Sequence, residues 1–171
     1  MRYLNQDDIS RLEKAANEIR QDIIEMLVEA GSGHTAGSLG MADIFTLLYL
    51  EVLKHDPKNP DWEERDRLVL SAGHICPVLY AAMAKAGYFP EEELFTLRKF
   101  GSRLQGHPHR TVLPGIETSS GPLGSGLSQA VGMSLAERMD NVYSSKYVYC
   151  ITGDGELNEG QIWEAAMLAG K

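Results

Sequence analysis

The stretch Tyr147-Val148-Tyr149-Cys150-Ile151-Thr152-Gly153-Asp154-Gly155-Glu156-Leu157-Asn158-Glu159-Gly160 decides the fold class of this chain. Its first five residues form an apolar run of strand length. Gly153-Asp154-Gly155 ends the run, and Gln161 to Leu168 continues as an amphipathic, helix-like segment. Strand, acidic glycine turn, helix is the order of an α/β sheet. It sets one carboxylate at the carboxyl end of a strand, where such sheets hold ligands. The two glycines let the backbone turn sharply and approach a ligand closely. A helix N-terminus favours anions, so a lone carboxylate beside one calls for a cation between the two. Asp154 therefore reads as a ligand for a hard divalent metal with a phosphate on its far side.

Working outward, Arg67-Leu68-Val69-Leu70-Ser71 reads as a second strand, running into Ala72-Gly73-His74 and a helix through Val78, Leu79, Ala82 and Met83. A long amphipathic helix is predicted over 8–29, with Ile9, Leu12, Ala16, Ile19, Ile23, Met26 and Leu27 on one stripe and Gly31 as its stop. Helices are also predicted over 41–54, nearly all apolar and hence buried, over 91–100 and over 121–139. The segments 31–40 and 101–120 read as loops. The second is longer than a compact domain usually carries without purpose. Strands alternating with helices predict an α/β fold with a parallel sheet flanked by helices. Two visible strands are few for such a sheet, so residues 1–171 read as a single, C-terminally incomplete domain.

With 171 residues and 43% hydrophobic residues, the composition is that of a globular domain able to bury a core. The formal net charge of −8 argues against a nucleic-acid partner. An acidic chain holds a phosphate only through local devices: a metal, histidines or backbone amides. No apolar run reaches membrane-spanning length, and Met1 to Asp8 lacks the apolar core of a signal peptide. A cytoplasmic location with no membrane partner is the expectation. Cys76 and Cys150 form no CxxC pair, and Cys150 reads as a buried free thiol within a strand.

Three of the five histidines follow a glycine at an element boundary: Gly33-His34, Gly73-His74 and Gly106-His107. A single loop histidine is often idle. Three of them beside an acidic glycine turn suggest catalysis or anion contact. A zinc site fits poorly, because no two histidines stand at helical ligand spacing and no cysteine joins them. His55, in a hydrophilic loop, reads as merely exposed. Gly121-Pro122-Leu123-Gly124-Ser125-Gly126 precedes a helix but is neither a GxGxxG fingerprint nor a P-loop, and it suits close packing against a flat ligand.

Ser32-Gly33-His34, Leu39-Gly40-Met41-Ala42-Asp43-Ile44, Ser71-Ala72-Gly73-His74, Gly106-His107-Pro108, Gly121-Pro122-Leu123-Gly124 and Gly153-Asp154-Gly155 occur in the order found in transketolases. Gly153 to Ala166 most resembles the N-terminal subunit of the split, two-gene transketolases. The resemblance implies a thiamine diphosphate-binding fold and transfer of a two-carbon ketol unit between sugar phosphates. It implies that Asp154 coordinates Mg²⁺ or Ca²⁺ bridging the diphosphate, with the Gly155 backbone beside it, and that His74 contacts the diphosphate. Gly121 and Leu123 would frame the cofactor rings. His34 and His107 would hydrogen-bond substrate hydroxyls and steady a developing oxyanion. Glu159 resembles a glutamate at the family's dimer interface, linked to the one that activates the cofactor. Glu156 is expected to be only a turn or capping residue.

Two departures stand out. The family's Gly-His-Pro-Gly reads Gly33-His34-Thr35-Ala36 here. An asparagine that completes the metal's oxygen shell, and a third active-site histidine, would lie past Lys171. A C-terminal transketolase subunit is the expected partner, with homo-oligomerisation covering apolar surface such as that of Ile162, Ala166 and Met167. Two alternatives are a shortened, non-catalytic relative that only folds, dimerises or binds a partner, and an enzyme like deoxyxylulose-phosphate synthase.

Overall fold

A computed structural model describes residues 3–171; Met1 and Arg2, the first residues of the stretch that lacks a signal-peptide core, lie outside the described residues. The chain opens with α1 (Gln6–Ala30), started by a reciprocal Asn5–Asp8 capping box. Its stripe from Leu12 to Leu27 is buried, while Ile9 at the outer end is not. The glycine-rich stretch read as a loop contains a short helix, α2 (Thr35–Gly40), in which the Ser38 hydroxyl donates to the His34 carbonyl. Next come α3 (Ala42–Leu47) and one π-helical turn (Leu48–Val52). This pair is amphipathic, not wholly buried: Phe45 is inside, Ile44 and Leu47 are exposed.

The two strands, β1 (Arg67–Leu70) and β2 (Val148–Ile151), run parallel with Arg67 opposite Val148 and Leu70 opposite Ile151. Buried Asp66 sets this register. Its carboxyl accepts the Lys54 and Tyr147 amides at 2.9 and 2.8 Å, tying both strand starts together. After β1 a 3₁₀ turn (Gly73–Ile75) leads into α4 (Cys76–Ala86), buried along nearly its whole length and the centre of the core. Residues 91–100, read as a helix, form instead a 3₁₀ turn (Glu91–Thr96). It stops because Leu97 is extended and Arg98 takes φ of 61°.

Residues 101–124 carry no regular element yet are firmly held. Leu104 and Leu113 are buried, Tyr80 Oη donates to the Gln105 carbonyl (2.8 Å), and the nearly buried Arg65 Nη2 donates to both carboxylate oxygens of Glu117 (2.8 and 3.0 Å). Helix α5 (Ser125–Asp140) starts four residues later than expected, because Gly124 is left-handed at φ 86°. Helix α6 (Gly160–Ala169) closes the described chain. It buries Ile162 and exposes Trp163 and Met167, so Ile162 belongs to the inner face and not to the apolar surface expected there. His55 is likewise not idle. Its Nε2 donates to the Tyr49 carbonyl (2.8 Å), and its ring stacks on Tyr88.

On α1, burial first and then the nearby Glu91 push the Asp22 carboxyl up to about 6. The folded value lies above the unfolded one, so the contribution of Asp22 to stability is full below 3.8 and is lost as pH rises through about 6. Asp22→Asn is therefore expected to raise the unfolding midpoint at pH 8 and leave it unchanged near pH 4. Solvent screening at this half-buried position holds the gain to about 1 kcal/mol, or roughly 2–4 °C. Equal gains at both pH values in thermal melts would contradict this origin.

Candidate active site

The carboxyl ends of β1 and β2 lie side by side; the turns that leave them carry His74 and Asp154, and the loops bearing His34, His107 and Gly121 pack beside these turns. A Cβ on Gly73 would sit 2.6 Å from Ser120 Cβ and 3.0 Å from His107 Cδ2, so only glycine admits the second loop this closely. Ser120 Oγ donates to the Leu70 carbonyl (2.6 Å) and pins that loop on the end of β1. His34 and His74 meet edge to face, with ring centroids 5.1 Å apart. The three Gly-His loops thus form one cluster, beside which Gly121 also lies. His107 is held below its ordinary pKa, first by burial and then by the positive charge of Arg98 and the neighbouring His74 and His34. That favours the neutral ring, which can both donate and accept a hydrogen bond.

The Asp154 turn joins this cluster through Ala72, whose Cβ is 3.5 Å from where a Gly153 side chain would begin. Asp154 and Gly155 are exposed, and a Cβ on Gly155 would meet no atom within 4 Å. The backbone there is open to a ligand. Leu123 is partly exposed, and its carbonyl accepts from Gln161 Nε2 (2.7 Å), fixing the glycine loop against the start of α6. Glu159 is exposed at the first turn of α6, away from the histidines' contacts. Among the described residues no three His, Cys, Asp or Glu side chains are grouped to hold a metal, at Asp154 or elsewhere.

Glu156 has a larger part than that of a turn residue. Its side chain is buried, with Oε1 accepting from Ser71 Oγ and the Gly124 amide (both 2.6 Å) and Oε2 from the Gly153 amide (2.8 Å). One carboxyl therefore clamps the end of β1, the glycine loop and the Asp154 turn. Its neighbour in sequence, an open turn, gives no local sign of this. Arg98 is a second residue the sequence did not single out, and its left-handed backbone had no local signal. Cys76 lies under the site with its thiol pushed up to about 12 by burial, and its Sγ donates to the Gly106 carbonyl (3.2 Å), a supporting contact and not a nucleophile's setting.

Open backbone at Gly155, a carboxylate beside it and three histidines with a mixed donor set suit a diphosphate held through a cation. This is a histidine-lined site at the carboxyl ends of two parallel strands in an α/β domain. The chain matches the family described as transketolase, thiamine diphosphate binding domain, over residues 12–171, and it belongs to that family. It is 50% identical over 159 residues to the 6-deoxy-6-sulfo-D-fructose transketolase subunit SqwG of Clostridium sp. (strain MSTE9), covering 93% of this chain and 57% of that protein. It is 44% identical to the chloroplastic transketolase of Spinacia oleracea, covering 98% of this chain and 24% of that one. Among solved structures, transketolase from Leishmania mexicana superposes with a TM-score of 0.87 at 41% identity, over 93% of this chain and 25% of that one. The chain thus spans just over half of the first relative's length and about a quarter of the others'. No helix among the described residues is long and apolar enough to cross a membrane.

Proposed function

We propose that this chain is the N-terminal part of a transketolase that moves a two-carbon ketol unit between sugar phosphates, or between the corresponding sulfonates, and that a C-terminal subunit completes it. One observation carries this reading: the Asp154 turn and three histidine loops converge at the carboxyl ends of β1 and β2. Thiamine diphosphate, when bound, supplies the carbanion chemistry. The chain's own residues bind and orient. Asp154 holds Mg²⁺ or Ca²⁺ against the diphosphate, Gly155 presents its backbone, and His74 contacts the same phosphates. Gly121 and Leu123 frame the cofactor rings. His34 and His107 donate to substrate hydroxyls and steady negative charge as it develops on oxygen.

Residues 1–171 act as one unit of the diphosphate-binding domain. The metal's remaining ligands come from elsewhere in the enzyme, since no three His, Cys, Asp or Glu side chains are grouped to hold a metal among the described residues. Glu159 lies at a subunit interface in this reading. The exposed Trp163, Met167 and Leu168 of α6 support assembly, because apolar surface of this kind is normally covered. A cytoplasmic, homo-oligomeric enzyme fits these features.

A turnover assay with xylulose 5-phosphate and ribose 5-phosphate, with and without a candidate C-terminal subunit, tests the proposal. Activity is expected only in the presence of both chains, and His107→Ala is expected to lower kcat by roughly 10²-fold. Full turnover by the 171 residues alone would refute the need for a partner. Persistent inactivity of the assembled pair with intact cofactor binding would favour a non-catalytic relative.

A further inference from the structure

Glu156 connects the parts of this site without being placed to touch a ligand. It is 1% exposed, and donors of the chain take both of its side-chain oxygens. Oε1 accepts the Gly124 amide (2.6 Å) and Oε2 the Gly153 amide (2.8 Å), so one carboxyl group spans the gap between two loops. Gly124 ends the glycine loop that carries Gly121 and Leu123, at a left-handed φ of 86°. Gly153 opens the turn that carries Asp154 and Gly155.

Little else fixes the spacing of those loops. A Cβ on Gly155 would meet no atom within 4 Å, and one on Gly153 would meet Ala72 Cβ at 3.5 Å and Glu156 Oε2 itself at 4.0 Å. Backbone bonds within the turn run forward along the chain, from the Leu157 amide to the Asp154 carbonyl (3.1 Å) and from the Glu159 amide to the Glu156 carbonyl (2.9 Å). The Gln161 side chain also holds the glycine loop, at the Leu123 carbonyl, but it comes from α6, beyond the turn. The Glu156 carboxyl is therefore the direct hydrogen-bonded link between the start of the Asp154 turn and the glycine loop.

We propose that Glu156 is a positioning residue that sets the Asp154 turn and the glycine loop in register, so that a metal and diphosphate seated at the turn order the loop that frames the cofactor rings. A carboxyl accepting from both amides passes a displacement of one to the other. Such coupling is reciprocal, so rings seated against the loop tighten the hold on the diphosphate. A ligand that spans both loops gains over one that fills the turn alone, because the second loop is already placed. The proposal rests on the thiamine diphosphate reading for what each loop holds, while the link itself needs only a ligand at the turn.

Glu156→Gln isolates the link. Its amide oxygen can serve Ser71 and Gly124, but its amide nitrogen faces the Gly153 N–H, so the tie to the turn is lost. Ser71→Ala is the structural control. It removes one donor from the same carboxyl and the acceptor of the Gly126 amide, yet leaves both loop amides bonded to Glu156. In the first measurement, hydrogen exchange of the assembled enzyme is followed with Mg²⁺ and inorganic diphosphate. Slower exchange is expected over 153–156 and also over 121–125 in the wild type and in Ser71→Ala. In Glu156→Gln the slowing over 153–156 should remain and that over 121–125 should vanish. A response over 121–125 that survives Glu156→Gln, or is missing in the wild type, would overturn the link. Its loss in Ser71→Ala as well would reduce Glu156 to a structural prop and overturn the positioning role.

The second measurement compares calorimetric binding of thiamine diphosphate and of inorganic diphosphate, each with Mg²⁺. Glu156→Gln is expected to weaken thiamine diphosphate binding by roughly 10–100-fold and to change inorganic diphosphate little. Equal losses for the two ligands, where the wild type prefers thiamine diphosphate, would overturn the register. A wild type in which diphosphate reaches the loop through Glu156, but which shows no preference for thiamine diphosphate, would reject the cofactor reading and leave the link standing.

Discussion

Glu156→Ala is expected to lower the thermal unfolding midpoint by roughly 6–20 °C, the largest stability loss foreseen for a single change in this chain. The alanine leaves the Ser71 hydroxyl and the Gly124 and Gly153 amides without their acceptor in a buried place. A buried donor left unsatisfied costs about 1–3 kcal/mol. With three affected and partial relaxation, a total of about 3–5 kcal/mol is reasonable, and each kcal/mol shifts the midpoint by roughly 2–4 °C at this size. The loss would spread beyond stability. Ser71 Oγ, which donates to Glu156, also accepts the Gly126 amide (3.2 Å), so the first turn of α5 hangs from the same carboxyl. Ser71 and Gly126 are packed directly together, since a Gly126 Cβ would lie only 2.5 Å from Ser71 Cβ.

Glu156→Gln separates acceptor geometry from bulk. The amide oxygen can serve Ser71 and Gly124, but the amide nitrogen then faces the Gly153 N–H, donor against donor. An intermediate loss of about 1–3 kcal/mol is expected. Calorimetry of both variants reads the effect directly. A midpoint within 2 °C of wild type for Glu156→Ala, against the roughly 1–3 kcal/mol expected for each orphaned donor, would show that the clamp is dispensable.

The strand, turn and helix around Asp154 were legible because a short apolar run and a helical periodicity meet at two glycines, a local pattern. The three Gly-His loops were legible as a set for the same reason, and the structure gathers them. Glu156 was underestimated because an acidic residue in a polar turn looks alike whether exposed or buried. Its partners Ser71 and Gly124 lie 85 and 32 residues away, and only the parallel pairing of β1 with β2 brings them near. His55 was misread for a similar reason, since Tyr88, 33 residues on, supplies the ring that covers it. Residues 91–100 had apolar spacing suited to a helix, but the turn at Leu97–Arg98 is set by Leu104 and Ser102 from the following loop. Periodicity reports which face is apolar; it does not report what a distant loop imposes on the backbone.

Asp154→Ala is expected to weaken thiamine diphosphate binding by on the order of 10²–10³-fold in the assembled enzyme, more than the 10–100-fold typical of losing a residue that only orients a ligand. Glu156, two residues on, is committed to three internal donors, and among the described residues no acidic or histidine group assembles around the turn. Removing Asp154 therefore removes an exposed carboxylate that this turn offers a metal, and a hard cation of strict geometry tolerates that poorly. Stability should change little, since the side chain is exposed. This contrast with Glu156→Ala is itself informative: one variant loses the fold's clamp, the other only the ligand.

The most direct measurement is a calorimetric titration of the assembled enzyme with thiamine diphosphate, in Mg²⁺ and in a chelator, for wild type and Asp154→Ala. Binding that requires the metal in the wild type and collapses in the variant, with unfolding midpoints alike, is the predicted result. Tight binding that survives Asp154→Ala, or that needs no divalent ion, would contradict the assignment of this turn as the metal and diphosphate site.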